Sequence, residues 1–335
     1  MKRLIKLIAE IDEFKGFWKG VNALNQEALA RLRIVATIES IGSSTRIEGA
    51  VLSDREIENI LENLDTYSFI ERDEQEVAGY ADALRLIYLS YNEIELTENN
   101  IKLLHKTLMS HSTRDQWHMG EYKKHPNHVA AFQNGKQTQI IFETASPFET
   151  PQKMGQLMQL YEKTFQEEHP LIAISDFILR FLAIHPFQDG NGRLSRVLTN
   201  LLLIKYGYDY VQYSSHERII EANKKQYYVS LRKSQQALKK AQIDYTWTEF
   251  LLEILKKQKD TLFEKYQREM LSNQLPEVSA KILDLAAQHG RVTVAFIEKS
   301  LQRNRNTIKK HLQQLCKKKE LILQGKGRGV YYTLQ

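Results

Sequence analysis

Apolar residues recur at helical spacing along most of the chain, from Leu4 to Met270, with polar positions on the opposite faces. Glu27 to Ile41 reads as an amphipathic helix, and Ser53-Asp54-Arg55-Glu56 forms a capping box that starts another. Thr97 is placed to cap a helix over 101–109. Pro170 to Ile184 is apolar except for Asp176 and Arg180, which predicts a buried helix. Arg193 to Tyr206 predicts the next, with Gly207 as its C-cap. The helical period fails in two places. After Gly120-Glu121-Tyr122 the chain turns non-helical, and Asn134-Gly135 is a strong hairpin signal followed by a short strand over 139–143. Thr150-Pro151 then supplies an N-cap and an N1 proline for a further helix. The second break is Leu271 to Pro276, which predicts a linker over 271–277. Beyond it come three short helices (279–288, 294–300 and 306–318) and two strands (321–323 and 330–332) joined by Gly325 to Gly329. The expected fold is mainly α with a β-hairpin, plus a small α+β domain over 278–335.

Composition narrows the setting. At 335 residues and 42% hydrophobic content the chain can bury a sizeable core and form two or three units. No apolar run reaches ~18 residues, so no membrane span is expected. The first residues start like a signal peptide but turn acidic at Glu10 and Asp12. One cysteine, Cys316, excludes an intramolecular disulfide and suits a cytoplasmic location. The net charge of +6 is unevenly spread. Residues 278–335 hold twelve basic and three acidic side chains, a net +9, which leaves −3 for the rest. The order of elements there resembles a winged helix-turn-helix domain. Arg303, Arg305, Lys309 and Lys310 fall at the start and exposed face of its third helix, and Lys326 and Arg328 at the tip of its wing. That distribution predicts DNA as a partner.

The densest chemistry lies in His185-Pro186-Phe187-Gln188-Asp189-Gly190-Asn191-Gly192-Arg193 and Arg196. Gly190 and Gly192 open a helix, where glycines admit unusual backbone angles and free N–H groups attract anions. Arg193 and Arg196 put cations at a helix N-terminus, where they oppose the dipole unless an anion binds. Asp189 suits Mg²⁺, which takes one or two protein carboxylates together with phosphate oxygens. His185 is the titratable group for accepting a proton near neutral pH. Phe187 is expected to point inward and anchor the loop.

The pattern His-x-Phe-x-Asp-Gly-Asn-Gly-Arg-x-x-Arg resembles that of Fic-domain proteins, with every position filled. The resemblance implies an all-helical fold and transfer of AMP from ATP to a Ser, Thr or Tyr hydroxyl of a protein, which could include this chain itself. It implies His185 as the base, Asp189 as the Mg²⁺ (or Mn²⁺) ligand, and Gly190, Asn191, Gly192 and Arg193 around the phosphates. Arg196 is implied to hold the γ-phosphate. Phosphate-transferring members carry Ala and Lys in place of the two glycines, so Gly190 and Gly192 favour nucleotidyl transfer. Upstream, Ser44-Thr45-Arg46-Ile47-Glu48-Gly49 resembles the family's inhibitory motif in its N-terminal (class II) arrangement. Ser44, Glu48 and Gly49 are its fixed positions, and Glu48 is implied to pair with Arg196, through a bidentate buried contact, and to block seating of the γ-phosphate. On this reading residues 1–95 form the N-terminal helical region and 96–270 the catalytic core.

In the same family a hairpin flap aligns the target by main-chain pairing, which implies that role for Gln139, Ile140 and Ile141. Lys123 departs from the common pattern, in which Arg follows Gly-x-Tyr. His118, His125 and His128 match no zinc spacing and are expected to be solvated loop residues. Tyr227 and Tyr228 lie where family members line the nucleoside, although an aromatic pair at helical spacing also suits a core. Two other activities use the same residues: a DNA-binding regulator that senses ATP, and removal of AMP from a modified protein. A homodimer is compatible with the sequence.

Overall fold

The computed structural model describes residues 2–21, 26–64, 69–133, 136–273 and 276–335, with the backbone only at 128–133, 136–141, 271–273 and 328. It divides into two compact units, Met1–Asn22 with Leu29–Leu262, and Ala23–Ala28 with Phe263–Gln335.

The first unit contains α1 (Lys2–Lys19), α2 (Gln26–Glu48) from Leu29 onward, α3 (Asp54–Glu62), α4 (Arg72–Ser90) and α5 (Glu98–Leu108). A hairpin of β1 (His128–Gln133) and β2 (Lys136–Glu143) follows, then α6 (Thr150–Glu167), α7 (Pro170–Ile184) and α8 (Asn191–Lys205). It closes with α9 (His216–Ala222), α10 (Lys224–Lys239) and α11 (Thr246–Asn273), the last of which continues into the second unit. The centre is α8. Every residue from Arg193 to Ile204 is buried, so this helix is enclosed on all sides rather than amphipathic. It packs against α4, α5 and α7, and α6 covers α7. Close approach of α4 to α5 needs Gly79, because a Cβ there would lie 2.0 Å from the Leu108 carbonyl oxygen. Two of the helices against α8 therefore sit at backbone-contact distance from each other, which holds the N-terminus of α8 in a stiff frame.

The capping box of Ser53 and Glu56 forms as expected, and Thr97 accepts from the Asn100 amide. Several boundaries differ, three of them near the site. The second helix runs seven residues past Ile41, through the whole Ser44–Glu48 motif, and stops at Gly49, whose φ is 118°. Ser43, Ser44 and Thr45 are fully buried there, and the Thr45 hydroxyl returns to the Ile41 and Gly42 carbonyls. Buried small hydroxyl residues break an apolar pattern without breaking a helix. At α6, Thr150 is the first helical residue, not the cap; Ser146 and Glu149 form the reciprocal backbone bonds one turn earlier. At α8 the helix starts at Asn191, two residues before the expected Arg193, because Gly190 takes a left-handed conformation (φ 78°) as N-cap.

The hairpin pairs antiparallel from His128 opposite Glu143 to Gln133 opposite Lys136, with two register shifts, and β2 starts three residues before the expected Gln139. The expected turn, Asn134-Gly135, lies outside the described residues.

In the second unit α11 continues to Asn273, three residues into the segment expected as linker. There follow α12 (Glu277–His289), α13 (Val294–Leu301), α14 (Arg305–Lys317), β3 (Leu321–Gln324) and β4 (Tyr331–Leu334). The two strands pair antiparallel, and Val292 bridges to Tyr332 as a third edge. Ile282, Ala286, Ile297, Ile308, Leu312, Leu315 and Leu321 form a core of their own. Arg303, Arg305, Lys309, Lys310 and Lys326 are exposed. Gly327–Gly329 makes a short 3₁₀ turn within the segment that joins the two strands. Among the described residues no helix is long and apolar enough to cross a membrane.

Candidate active site

The turn that carries the histidine motif is made by ending one buried helix and starting another within six residues. The chain leaves α7 at His185, which adopts φ 54° and ψ 61°, and its N–H still reaches the Phe181 carbonyl at 2.9 Å. A non-glycine residue in this region is held by its surroundings at a cost of about 1–2 kcal/mol. Those surroundings are visible. Asn191 clasps the backbone of Phe187 from both sides: Oδ1 accepts from its N–H (2.9 Å) and Nδ2 donates to its carbonyl (2.8 Å). The side chain implied to face the phosphates is thus committed to shaping the loop. Phe187 points inward, as expected, with no exposed surface.

One residue of this framework was not singled out in the sequence. His105, fully buried on α5, stacks on Phe187 with ring centres 3.9 Å apart and planes 8° off parallel. Its Nδ1 accepts from the Gly120 amide at 3.0 Å, which assigns the proton to Nε2, and Nε2 donates to the Asp189 carbonyl at 3.0 Å. The ring ties α5 and the Gly120 loop to the turn. Its only sequence signal was a polar residue within an apolar face, which is indistinguishable from an ordinary core histidine.

Burial and neighbouring charges shift His185 and Asp189 from their ordinary values. Burial, and then the neighbouring Lys123 charge, push His185 from 6.5 to about 4. The imidazole is therefore neutral at neutral pH, the form that accepts a proton. Burial alone would raise Asp189, but Arg193, the Gly190 amide and Arg72 outweigh it and keep the carboxylate ionised. Gly190 donates to Asp189 Oδ1 at 2.6 Å, and Oδ2 faces Arg72 at 3.3 Å and Arg193 at 3.4 Å. Arg193 is buried and also meets Glu76 at 3.1 Å. Hence the first motif arginine is held by two carboxylates. With its side chain 41% exposed, Asp189 offers one accessible carboxylate. That fits Mg²⁺ carried mainly by phosphate oxygens, and not an all-protein cage.

The second motif arginine points elsewhere. Arg196 is 2% exposed and held by α2 through two of its three nitrogens: Nε donates to Ser44 Oγ (2.8 Å), and Nη2 donates to the Ser44 carbonyl (2.9 Å) and to Glu48 Oε1 (2.7 Å), while Nη1 is buried with no hydrogen-bond partner among the described residues. The Tyr227 hydroxyl also faces it. Burial disfavours the guanidinium charge, yet Glu48 and the two flanking tyrosines hold its pKa above the ordinary arginine value. The contact corrects the expected geometry. It is monodentate, and only the arginine is buried, since the Glu48 side chain is 31% exposed. Gly192 makes room for it: a Cβ there would lie 2.2 Å from Glu48 Oε1. Gly49 then ends α2 directly after the glutamate.

Other expectations are corrected. His118 is not solvated but buried, bonded to Asp115 at 3.0 Å; His125 is exposed, and the His128 side chain lies outside the described atoms. Among the described residues no cluster of His, Cys, Asp and Glu could hold a metal by itself. Tyr227 is core, packed on Trp247, while Tyr228 is half-buried beside it. The backbone of Gln139, Ile140 and Ile141 lies on β2, as expected.

Residues 95–203 match the Fic/DOC family. This segment is a Fic domain. Curated relatives named Protein adenylyltransferase Fic include one from Drosophila erecta, 30% identical over 190 residues that cover 54% of this chain and 35% of the relative. Another, from Drosophila virilis, is 29% identical over 216 residues, covering 62% of this chain and 40% of the relative. The chain thus spans less than half the length of these relatives. Among solved structures, a Fic family protein from Desulfovibrio desulfuricans G20 superposes with a TM-score of 0.65 at 22% identity, covering 100% of this chain and 96% of that one. A Fic domain containing signaling protein from Bacteroides thetaiotaomicron VPI-5482 gives 0.62 at 26% identity, covering 77% and 97%. The mainly helical Fic fold is therefore shared with known structures.

The buried neutral histidine gives a test of this framework that needs no substrate. Burial pushes His105 from 6.5 to about 4. The unfolded chain takes up a proton below pH 6.5 that the folded site refuses until about pH 4. Folding stability therefore falls as pH drops through that window, by on the order of 2 kcal/mol for this residue at pH 5. Urea unfolding of wild type and His105→Gln at pH 7 and pH 5 should show a smaller acid loss in the variant. An identical loss in both would contradict the assignment.

Proposed function

We propose that this chain is a protein adenylyltransferase that moves AMP from ATP to a hydroxyl of a protein, and that Glu48 holds it in a resting state. The observation that carries the reading is a neutral His185 set beside a glycine-capped helix N-terminus whose second arginine is already claimed by a carboxylate. The relatives named adenylyltransferase support the chemistry.

The residues divide the work. His185 removes the proton of the attacking hydroxyl; Nδ1 is buried, so Nε2 is the nitrogen that takes it. The oxygen attacks the α-phosphorus, the bond to the β-phosphate bridging oxygen breaks, and pyrophosphate leaves. The amides of Gly190 to Gly192 and the positive end of α8 receive the phosphate oxygens. Arg193 supplies charge beside them once its pairing with Glu76 and Asp189 is shared with the nucleotide. Asp189 would hold Mg²⁺, which would neutralise phosphate charge and orient the chain. Arg196 receives the γ-phosphate only after Glu48 leaves. The free edge of β2 at 139–141 aligns an extended segment of the target.

The same reading extends to the C-terminal unit. Three helices, a paired β-ribbon and an excess of exposed cations fit a winged helix that binds DNA through Arg303, Arg305, Lys309, Lys310, Lys326 and Arg328. The class II arrangement follows from Glu48 lying N-terminal to the catalytic turn.

Labelling from ATP carrying an α-³²P tests the enzyme. Glu48→Gly should label protein at least about tenfold faster than wild type, and adding His185→Ala should abolish the gain. Equal rates for wild type and Glu48→Gly would contradict the resting state, and labelling that survives His185→Ala would remove the base. Fluorescence polarisation with a duplex of mixed sequence tests the second unit. Lys309→Glu with Lys310→Glu should weaken binding by about tenfold or more and lower the salt slope by about 2. No binding by wild type even at low salt would refute it.

A further inference from the structure

Lys123 is the charged residue that the function leaves unexplained. It is 3% exposed, and burial pushes its pKa down to about 8. A lysine is not kept there for solubility. All three of its ammonium donors are used: Nζ reaches Asn127 Oδ1 at 2.8 Å, Thr144 Oγ1 at 2.9 Å and the Ile184 carbonyl at 3.1 Å. The partners explain the position. Asn127 is the residue immediately before β1 and Thr144 the residue immediately after β2, so the two ends of the flap meet at one ammonium. The Thr144 hydroxyl closes the ring onto the Asn127 carbonyl at 2.7 Å. The third partner, Ile184, precedes His185. Asn127 Nδ2 also donates to the Phe187 carbonyl at 2.8 Å, on the other side of His185. The Lys123 amide bonds to Pro186 at 2.9 Å, and Tyr122 bridges to Phe187. Both roots of the flap are thereby fastened to both sides of the base.

We propose that Lys123, through Asn127 and Thr144, is a positioning residue that fixes the flap's register against His185 and so delivers the acceptor hydroxyl to the base. The inference rests on the adenylyltransferase reading and adds to it how the acceptor is aimed. Lys123 touches no phosphate-binding group named above. Its loss should damage transfer to protein while leaving nucleotide binding in place, since small misplacement of an acceptor is enough to slow transfer.

The test uses the full chain carrying Glu48→Gly, with Lys123→Met, Lys123→Arg or Thr144→Val added. Self-labelling from α-³²P ATP, release of free AMP to water, ATP affinity by calorimetry and backbone amide exchange are measured on each. Lys123→Met should lower self-labelling by about tenfold while ATP affinity and AMP release stay within about twofold. Amide exchange should accelerate over 128–143 and not over 185–196. Thr144→Val should show a smaller loss of the same kind, and Lys123→Arg should recover most of the labelling. ATP affinity falling in step with labelling, or unchanged exchange in the flap, would overturn the proposal. If the Glu48→Gly parent transfers no AMP, the adenylyltransferase reading fails, and the exchange measurement still decides whether Lys123 tethers the flap.

Discussion

A guanidinium taken almost wholly out of water has to be partnered, and the arrangement around Arg196 follows from that need. At 2% exposure it cannot rely on solvent, and removing one partner of a buried charge leaves a penalty of several kcal/mol. Its partners come from 148 and 152 residues upstream, at Glu48 and Ser44. To supply them, α2 must stay helical through Ser44, Thr45 and Glu48. Gly49 must end it there, and Gly192 must lack the Cβ that would occupy the carboxylate's place. The same cation is the one the proposed reaction needs for the γ-phosphate. A strong anion can displace Glu48 because the contact is single and the glutamate remains 31% exposed. A bidentate, fully buried pair would be far harder to exchange.

The two motif arginines, three residues apart, thus have different lives. Arg193 faces Glu76 and Asp189 on the side of α4, and Arg196 faces α2. The turn at 185–190 that precedes them is kept in shape by its neighbours. Asn191 clasps Phe187, His105 stacks on it, and Lys123 binds the carbonyl before His185. The left-handed backbone of His185 is the strained element that these contacts maintain.

Much of this was readable from the sequence because it depends on local chemistry. The family motif at 185–196, the capping box at Ser53, the buried helix of Pro170 to Ile184 and the separate core of the C-terminal unit each rest on short-range pattern. What escaped depends on burial by distant segments. A histidine in an apolar face carries no mark that it will stack on Phe187. Nor does a lysine after Gly-x-Tyr announce that two flap roots converge on it. The length of α2 was missed because its buried hydroxyls are satisfied, Thr45 within the helix and Ser44 by Arg196, so an apolar count stops too early. His118 was misjudged because a loop position does not reveal its burial or its pairing with the half-buried Asp115.

The central claim is that Glu48 and the γ-phosphate compete for Arg196. Calorimetry of ATP and ADP binding, with Mg²⁺, to wild type, Glu48→Gly and Glu48→Gly with Arg196→Ala measures that competition without turnover. The account predicts near-equal affinities for the two nucleotides in wild type. In Glu48→Gly, ATP should be preferred by about tenfold or more, and the preference should vanish when Arg196 is removed as well. An ATP preference already present in wild type, or one that survives loss of Arg196, would contradict it.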